Sequence, residues 1–354
     1  MSFFAVLFAL VIEQFKPLPR DNWVHHTLVA WVGWTGRNFD AGRQHHAWVV
    51  WGVSVGAPGL AVTALYLAVH HWSLLLAMVF NVGVLYLTLG FRQFSHYYTD
   101  IRDALERGDE IDARRLLAEW RHLDASELPR AELLRHVIEH ALLAAHRHVF
   151  GVFFWFVLLC SLGLGPLGAV LYRMAEFASR YWSYPSKSLG VPANERLMRL
   201  SQQLFGWIDL VPSRLTAFGF AVVGNFEEAI NAWRRDAGLW KYANEGVILA
   251  SAAGALGVQL GGSAAPGVTP DRSRGFEAGP TEDGGADGST GGDPPQIGHL
   301  RSVVGLVWRS MVLWMLLVAL LTLANLVGDF CPQHACGVAR PGGGRSAGRG
   351  AARR

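Results

Sequence analysis

Four histidines fall within residues 135–148, RHVIEHALLAAHRH, and His136-Val137-Ile138-Glu139-His140 has the spacing of an inverted zinc-peptidase signature. On a helix His136 and His140 lie four apart on one face with Glu139 beside them, so a metal ion could bridge the imidazoles. Such a site needs a further acidic ligand from a neighbouring helix, yet the chain turns apolar soon after, as VFGVFFWFVLL. The simpler expectation is the lip of a membrane span, with histidine and arginine tips at headgroup level. Cys331-Pro-Gln-His-Ala-Cys336 offers only three ligands, too few to close a structural zinc site, and its thiols are expected to be reduced. GGADGSTGGD has the glycines and aspartates of calcium repeats but occurs once, and reads as linker. No phosphate-binding loop, nucleophile elbow or dinucleotide glycine motif occurs.

The elements that must position these groups are membrane helices. Of 354 residues only 17 % are charged and 51 % are hydrophobic, against ~25 % charged in a typical soluble domain. A net charge of +3, with five arginines in the last fifteen residues, argues against a nucleic-acid partner. No convincing cleavable signal peptide is expected, because MSFFAVLFALVIEQ lacks a basic start and an A-x-A-like site. Apolar runs at 47–68, 72–91, 149–171 and 303–327 each approach the ~20 residues that a spanning helix requires. Tryptophans 48, 51, 72, 155, 308 and 314 lie at or near their ends, where indole suits the interface. The fold class expected is all-α: a polytopic integral membrane protein with about four to five transmembrane helices and a cytoplasmic helical loop. Residues 92–148 form that loop, with a break at Arg107-Gly108-Asp109 and a new start at Pro129. Residues 202–233 read as amphipathic or re-entrant, because Asp209, Arg214, Glu227 and Glu228 interrupt them. Residues 261–295 and the tail 328–354 are Gly-rich and expected to be disordered, so the membrane domain is 1–327. With four straight spans, 15–46, 92–148 and the tail share the cytoplasmic side, carrying 4, 9 and 5 Lys/Arg, and 173–301 lies opposite.

Longer stretches resemble one family. Asn244-Glu-Gly-Val-Ile-Leu-Ala-Ser-Ala-Ala-Gly-Ala-Leu-Gly-Val-Gln-Leu-Gly-Gly262 is similar to N-A-G-W-P-x-A-x-A-G-A-L-G-V-x-L-G-G. Pro212-Ser-Arg-Leu-Thr216 is similar to P-A-R-L-T, and Ala104-Leu-Glu-Arg-Gly-Asp-Glu-Ile-Asp-Ala-Arg114 to A-L-x-x-G-D-x-x-x-A-R. Phe154-Trp155 and Tyr172-Arg173 match the end of that family's central span. In these stretches, collinear over roughly 1–327, the chain resembles the CobD/CbiB family, membrane proteins that join aminopropanol or its phosphate to adenosylcobyric acid. The resemblance implies a bacterial-type cytoplasmic (inner) membrane location, a corrinoid substrate, and ATP with Mg²⁺.

The departures are equally specific. E-S-x-A-E-N-x-x-D becomes Glu139-His-Ala-Leu-Leu-Ala-Ala-His-Arg147, N-T-x-D-S-M becomes Glu176-Phe-Ala-Ser-Arg-Tyr181, and D-D-x-x-N becomes Phe205-Gly-Trp-Ile-Asp209. Activating a carboxylate with a nucleoside triphosphate calls for Mg²⁺-binding acids, and most such positions are apolar or basic here. If the chain is a ligase, the resemblance puts Glu139 and Asp209 in catalytic roles, holding Mg²⁺ or the amine. Arg92, Arg214 and Asn244 then bind phosphate or corrinoid carboxylates. The plainer alternative pairs Arg214 with Asp209 and makes Asn244 a helix cap. Glu13 with Lys16, the Phe-Trp span entry and Asp209 also resemble AmpE, a related regulatory membrane protein; on that reading the scaffold is kept without catalysis. The lip reading of the histidines has a direct check: purified protein is expected to carry no stoichiometric zinc, and zinc lost on His136→Ala would overturn it.

Overall fold

The chain is described by a computed structural model covering residues 2–15, 23–39, 44–89, 91–121, 125–183, 195–262 and 289–330. It is an all-α membrane protein, and among the described residues the only β contacts are isolated bridges. In chain order the helices are α1 (Ser2–Phe15), α2 (Trp23–Phe39), α3 (Gln44–Trp51), α4 (Ala57–Trp72), α5 (Leu74–Thr88), α6 (Phe91–Glu106), α7 (Glu110–Arg121) and α8 (Arg130–Ala145). They continue as α9 (Gly151–Ser161), α10 (Leu167–Ser183), α11 (Glu195–Ile208), α12 (Leu210–Val223), α13 (Phe226–Asp236), α14 (Ala243–Leu256) and α15 (Ile297–Phe330). π-Helical turns at Gly52–Gly56 and His146–Phe150 join α3 to α4 and α8 to α9 without a break.

Three of the resulting rods are long and apolar enough to cross a bilayer: His46–Trp72, Arg130–Ser161 and Ile297–Ala324. The first has 27 residues, about 40 Å at 1.5 Å per residue, against ~30 Å of hydrocarbon. Phe3–Glu13, Leu74–Thr88 and Leu210–Val223 are apolar but shorter. Leu60, Leu75, Val312 and Leu323 point outward from these helices, the face a lipid phase accepts and water would not. Ser73 caps α5 by accepting the Leu76 N–H, which gives the α4–α5 hairpin its tight turn. The loop 92–148 is helical, with its break at Gly108 (φ 82°) and its restart after Pro129. Residues 202–233 are the end of α11, α12 and amphipathic α13; Asn225 caps α13, with Glu227 and Glu228 in the first turn and Arg234 and Arg235 in the last.

The span expected at 149–171 is corrected. α9 stops at Ser161, the chain reverses through Gly163 (φ 81°) and Gly165 (φ 60°), and α10 starts just after Pro166. Those φ values suit glycine, and proline opens a helix readily, so an apolar run long enough to cross folds back instead. The two arms touch backbone to backbone: a Cβ on Gly168 would strike the Trp155 carbonyl, and one on Gly151 the Tyr172 ring. The side assignment changes with it. Helices α7, α8, α10–α12 and α14 line one cavity, so parts of 92–148 and 173–301 expected to lie apart meet at it.

Of residues 261–295, Gly261, Gly262 and those from Ser289 onward are described. Thr290 N–H donates to Leu260 O (2.7 Å), Gln259 N–H to Asp293 O (2.8 Å) and Asp293 N–H to Gly257 O (2.9 Å). Residues 263–288 and 331–354, with Cys331, His334 and Cys336, lie outside the described residues. Tyr98 Oη donates to Leu300 O (2.6 Å) and fastens α6 to α15. The fold-back predicts that Gly168→Val destabilises the detergent-solubilised protein by about 1–3 kcal/mol through overpacking. Gly206→Val, where a Cβ meets nothing within 4 Å, is expected to shift the unfolding temperature far less.

Candidate functional site

Where the fold-back returns, an open cavity of about 1550 Å³ lies between α2, α4 and α5 on one side and α7, α8, α10–α12 and α14 on the other. One end is apolar, lined by Val24, Leu28, Val62, Val84, Leu87 and Met174. The other presents Arg121, Arg147, Arg173, Arg180, Arg214 and Lys241 against three carboxylates, Glu176, Asp209 and Glu245. Cations outnumber carboxylates two to one there, which gives this end a positive electrostatic bias.

Each carboxylate is already engaged. Glu176, fully buried on α10, takes Arg173 Nη1 at 2.8 Å and Arg180 Nε at 2.5 Å. Burial works to raise its pKa, but Arg180, Arg173 and Arg147 outweigh it and hold the carboxyl below the usual range. Glu245 on α14 pairs with Arg147. Asp209, between α11 and α12, accepts from Tyr172 Oη (2.8 Å), and its Oδ1 lies 2.7 Å from His146 Nε2. The Nδ1 of the same imidazole lies 2.9 Å from Thr216 Oγ1. His146 and Arg147 open the π-helical turn of the long helix. A widened turn of this kind is a frequent mark of functional sites; here two successive residues reach separate partners, on α12 and α14.

The residues expected from the sequence divide into two places. Asp209, Arg214 and Asn244 meet at the cavity. Arg214 Nη1 donates to Asn244 Oδ1 (2.9 Å) and to Leu210 O (2.7 Å), and Asn244 Nδ2 donates to Gly206 O (2.9 Å). Arg214 therefore holds Asn244 rather than Asp209. Asn244 ties α14 to α11 rather than capping a helix, for the N-cap of α14 is Tyr242. Glu139 lies outside the cavity lining; its Oε1 accepts the Gly261 N–H at 2.8 Å and anchors the end of the Gly-rich motif. The Arg92 side chain lies outside the described residues. The histidines differ in setting, and His140 and His148 line the cavity. His146 is 1 % exposed, His140 packs edge-on against Trp120, and His136 Nδ1 faces Arg121 Nη1 at 2.7 Å. Burial lowers the pKa of Arg121, with Glu139 and Glu245 opposing.

Arg147, Arg173, Glu176, Arg180 and Glu245 were missed by the sequence reading, although a signal existed. Arg147 stands at the last Asp of E-S-x-A-E-N-x-x-D, and Glu245 at the Ala of N-A-G. Each looks like a loss alone; together they are an ion pair between α14 and the long helix. As for the groups the resemblance implies, the guanidinium wall fits a triphosphate or a set of carboxylates. A protein-held Mg²⁺ does not fit: it wants carboxylate oxygens, these are committed to cations or hydrogen bonds, and no three His, Cys, Asp or Glu side chains converge among the described residues.

Comparison with known proteins agrees with the motifs. The profile of the family described as CobD/Cbib protein matches residues 4–274. The chain is similar to cobalamin biosynthesis protein CobD of Stutzerimonas stutzeri, 30 % identical over 336 residues, covering 89 % of this chain and 96 % of that one. It is 33 % identical over 221 residues to the CobD of Chromobacterium violaceum, covering 59 % and 65 %. With that of Mycobacterium tuberculosis it shares 30 % over 218 residues, covering 60 % and 65 %. No solved structure matches.

Glu176 carries a prediction. Its lowered pKa means that its contribution to stability is present above the ordinary carboxylate range and lost as pH falls through its folded-state value. Glu176→Gln leaves Arg173 and Arg180 uncompensated and is expected to cost about 3–5 kcal/mol. A melting-temperature series from neutral to acid pH should show the variant flatter than wild type on the acid side.

Proposed function

The chain belongs to the CobD/CbiB family of cobalamin-biosynthesis proteins, and on that premise we propose that it forms the amide between a corrinoid carboxylate and aminopropanol or its phosphate. Amide formation from a carboxylate removes the elements of water, and a nucleoside triphosphate carries the departing oxygen away as phosphate. What the chain supplies is binding and orientation. Arg147, Arg173 and Arg180 receive phosphate or corrinoid carboxylates as charge-assisted pairs. The apolar end, between α2, α4 and α5, accepts the apolar flank of the macrocycle. Asp209 offers a carboxylate to the ammonium group of the amine. Arg214 and Asn244 hold α12 and α14 in place around it. The reading places the protein in the cytoplasmic (inner) membrane with the cavity toward the cytoplasm.

The observation that carries this reading is the cation-rich cavity beside an apolar compartment, a combination suited to a large ligand with both anionic groups and apolar faces. Complementation tests it. A strain lacking its own synthase should regain cobalamin from cobyric acid when it expresses this chain, and absence of rescue despite membrane expression would sink the ligase reading. In a rescuing background Arg180→Ala, at a half-exposed guanidinium, should raise KM for the anionic substrate about tenfold, roughly 1.4 kcal/mol.

A further inference from the structure

The buried polar network behind the cavity joins three helical segments. His146 comes from the π-helical turn, Tyr172 from α10, and Thr216 from α12, the helix that Asp209 immediately precedes. His146 is 1 % exposed, Tyr172 0 % and Thr216 1 %, whereas Asp209 is buried but contributes to the cavity wall. Both neighbours of the carboxylate sit on one oxygen: His146 Nε2 at 2.7 Å and Tyr172 Oη at 2.8 Å from Oδ1. Neither bond engages Oδ2, and Asp209 is part of the cavity wall. The imidazole is held at its other end too, by Thr216 Oγ1 at 2.9 Å from Nδ1. A hydroxyl can donate to Nδ1 while Nε2–H donates to Oδ1, so one neutral tautomer satisfies every group.

Resting on the ligase reading above, we infer that His146 is a positioning residue for Asp209, fixing its carboxylate so that Oδ2 accepts a proton from the ammonium of the incoming amine. The step balances simply. One N–H bond breaks, its electron pair stays on nitrogen, and an O–H bond forms at Oδ2. Neither hydrogen bond to Oδ1 has to break. The freed lone pair can then form the C–N bond to the carboxyl carbon activated by the nucleoside triphosphate, as its C–O bond breaks and the oxygen leaves with phosphate. The arrangement follows a general logic in which a base is oriented by a third group that touches no substrate. The other charged groups around this network include Arg147 on the long helix, Arg173 and Glu176 on α10, Arg214 on α12 and Glu245 on α14. Arg147 acts electrostatically on Asp209, Glu176 and Glu245 together.

The test uses the full-length protein in detergent or vesicles, with amide formation followed against pH. His146→Leu removes the donor at Oδ1, and a carboxylate without that donor holds its charge less readily. Its kcat should fall ten- to a hundredfold, the acid limb of kcat should move to higher pH, and KM for the corrinoid should stay put. His146→Gln, whose amide can still donate, should recover most of kcat. A His146→Leu enzyme with wild-type kcat and pH profile would overturn the inference, as would a folded His146→Gln no better than Leu. If His146→Leu does not reach the membrane, Thr216→Val decides. It frees Nδ1 alone, and an unchanged kcat and acid limb there would count against His146, a lowered kcat with a shifted limb for it. A wild-type protein that forms no amide would instead sink the ligase reading, so the two failures are distinguishable.

Discussion

The cavity exists because the chain turns back at Gly163 and Gly165 instead of continuing across. Antiparallel return of α10 along α9, packed through Gly151 and Gly168, sets Arg147 and Tyr172 at matching depth and brings α10 beside the π-helical turn. From there the wall is completed by α11, α12 and α14. A single pair of left-handed glycines thus decides which residues can meet.

Placing so many ionic groups among apolar helices costs solvation free energy, and the structure answers with local pairing. Glu176 is shared by Arg173 and Arg180, Glu245 by Arg147, and Asp209 by an imidazole and a phenol. The pairings are unequal in exposure. Glu176 is sealed, while the Arg180 side chain is half exposed, so its guanidinium can exchange one anion for another without unmaking the fold.

Much was legible in the sequence. Apolar runs mark α3–α4, α5 and α15, and Gly108 and Pro129 mark the breaks of the helical loop, because bilayer thickness and backbone preference act locally. The family motifs made kinship readable. The fold-back at 163–165 was not, since hydropathy measures how apolar a run is and carries no direction. Asp209, Arg214 and Asn244 were found at the cavity through their motifs, whereas Glu139, also in a motif, serves backbone geometry at Gly261. Arg147 and Glu245 were hidden for a different reason. They lie 98 residues apart in the chain, and an exchanged charge shows itself as compensation only when both sites are seen together.

The backbone contacts between 257–261 and 289–293 have a consequence beyond the site. They hold the two ends of the intervening segment side by side, so its length is uncoupled from the spacing of α14 and α15. Loop-closure entropy rises only slowly with length. A reporter domain or affinity handle grafted between residues 263 and 288 would therefore ride on a closed clasp.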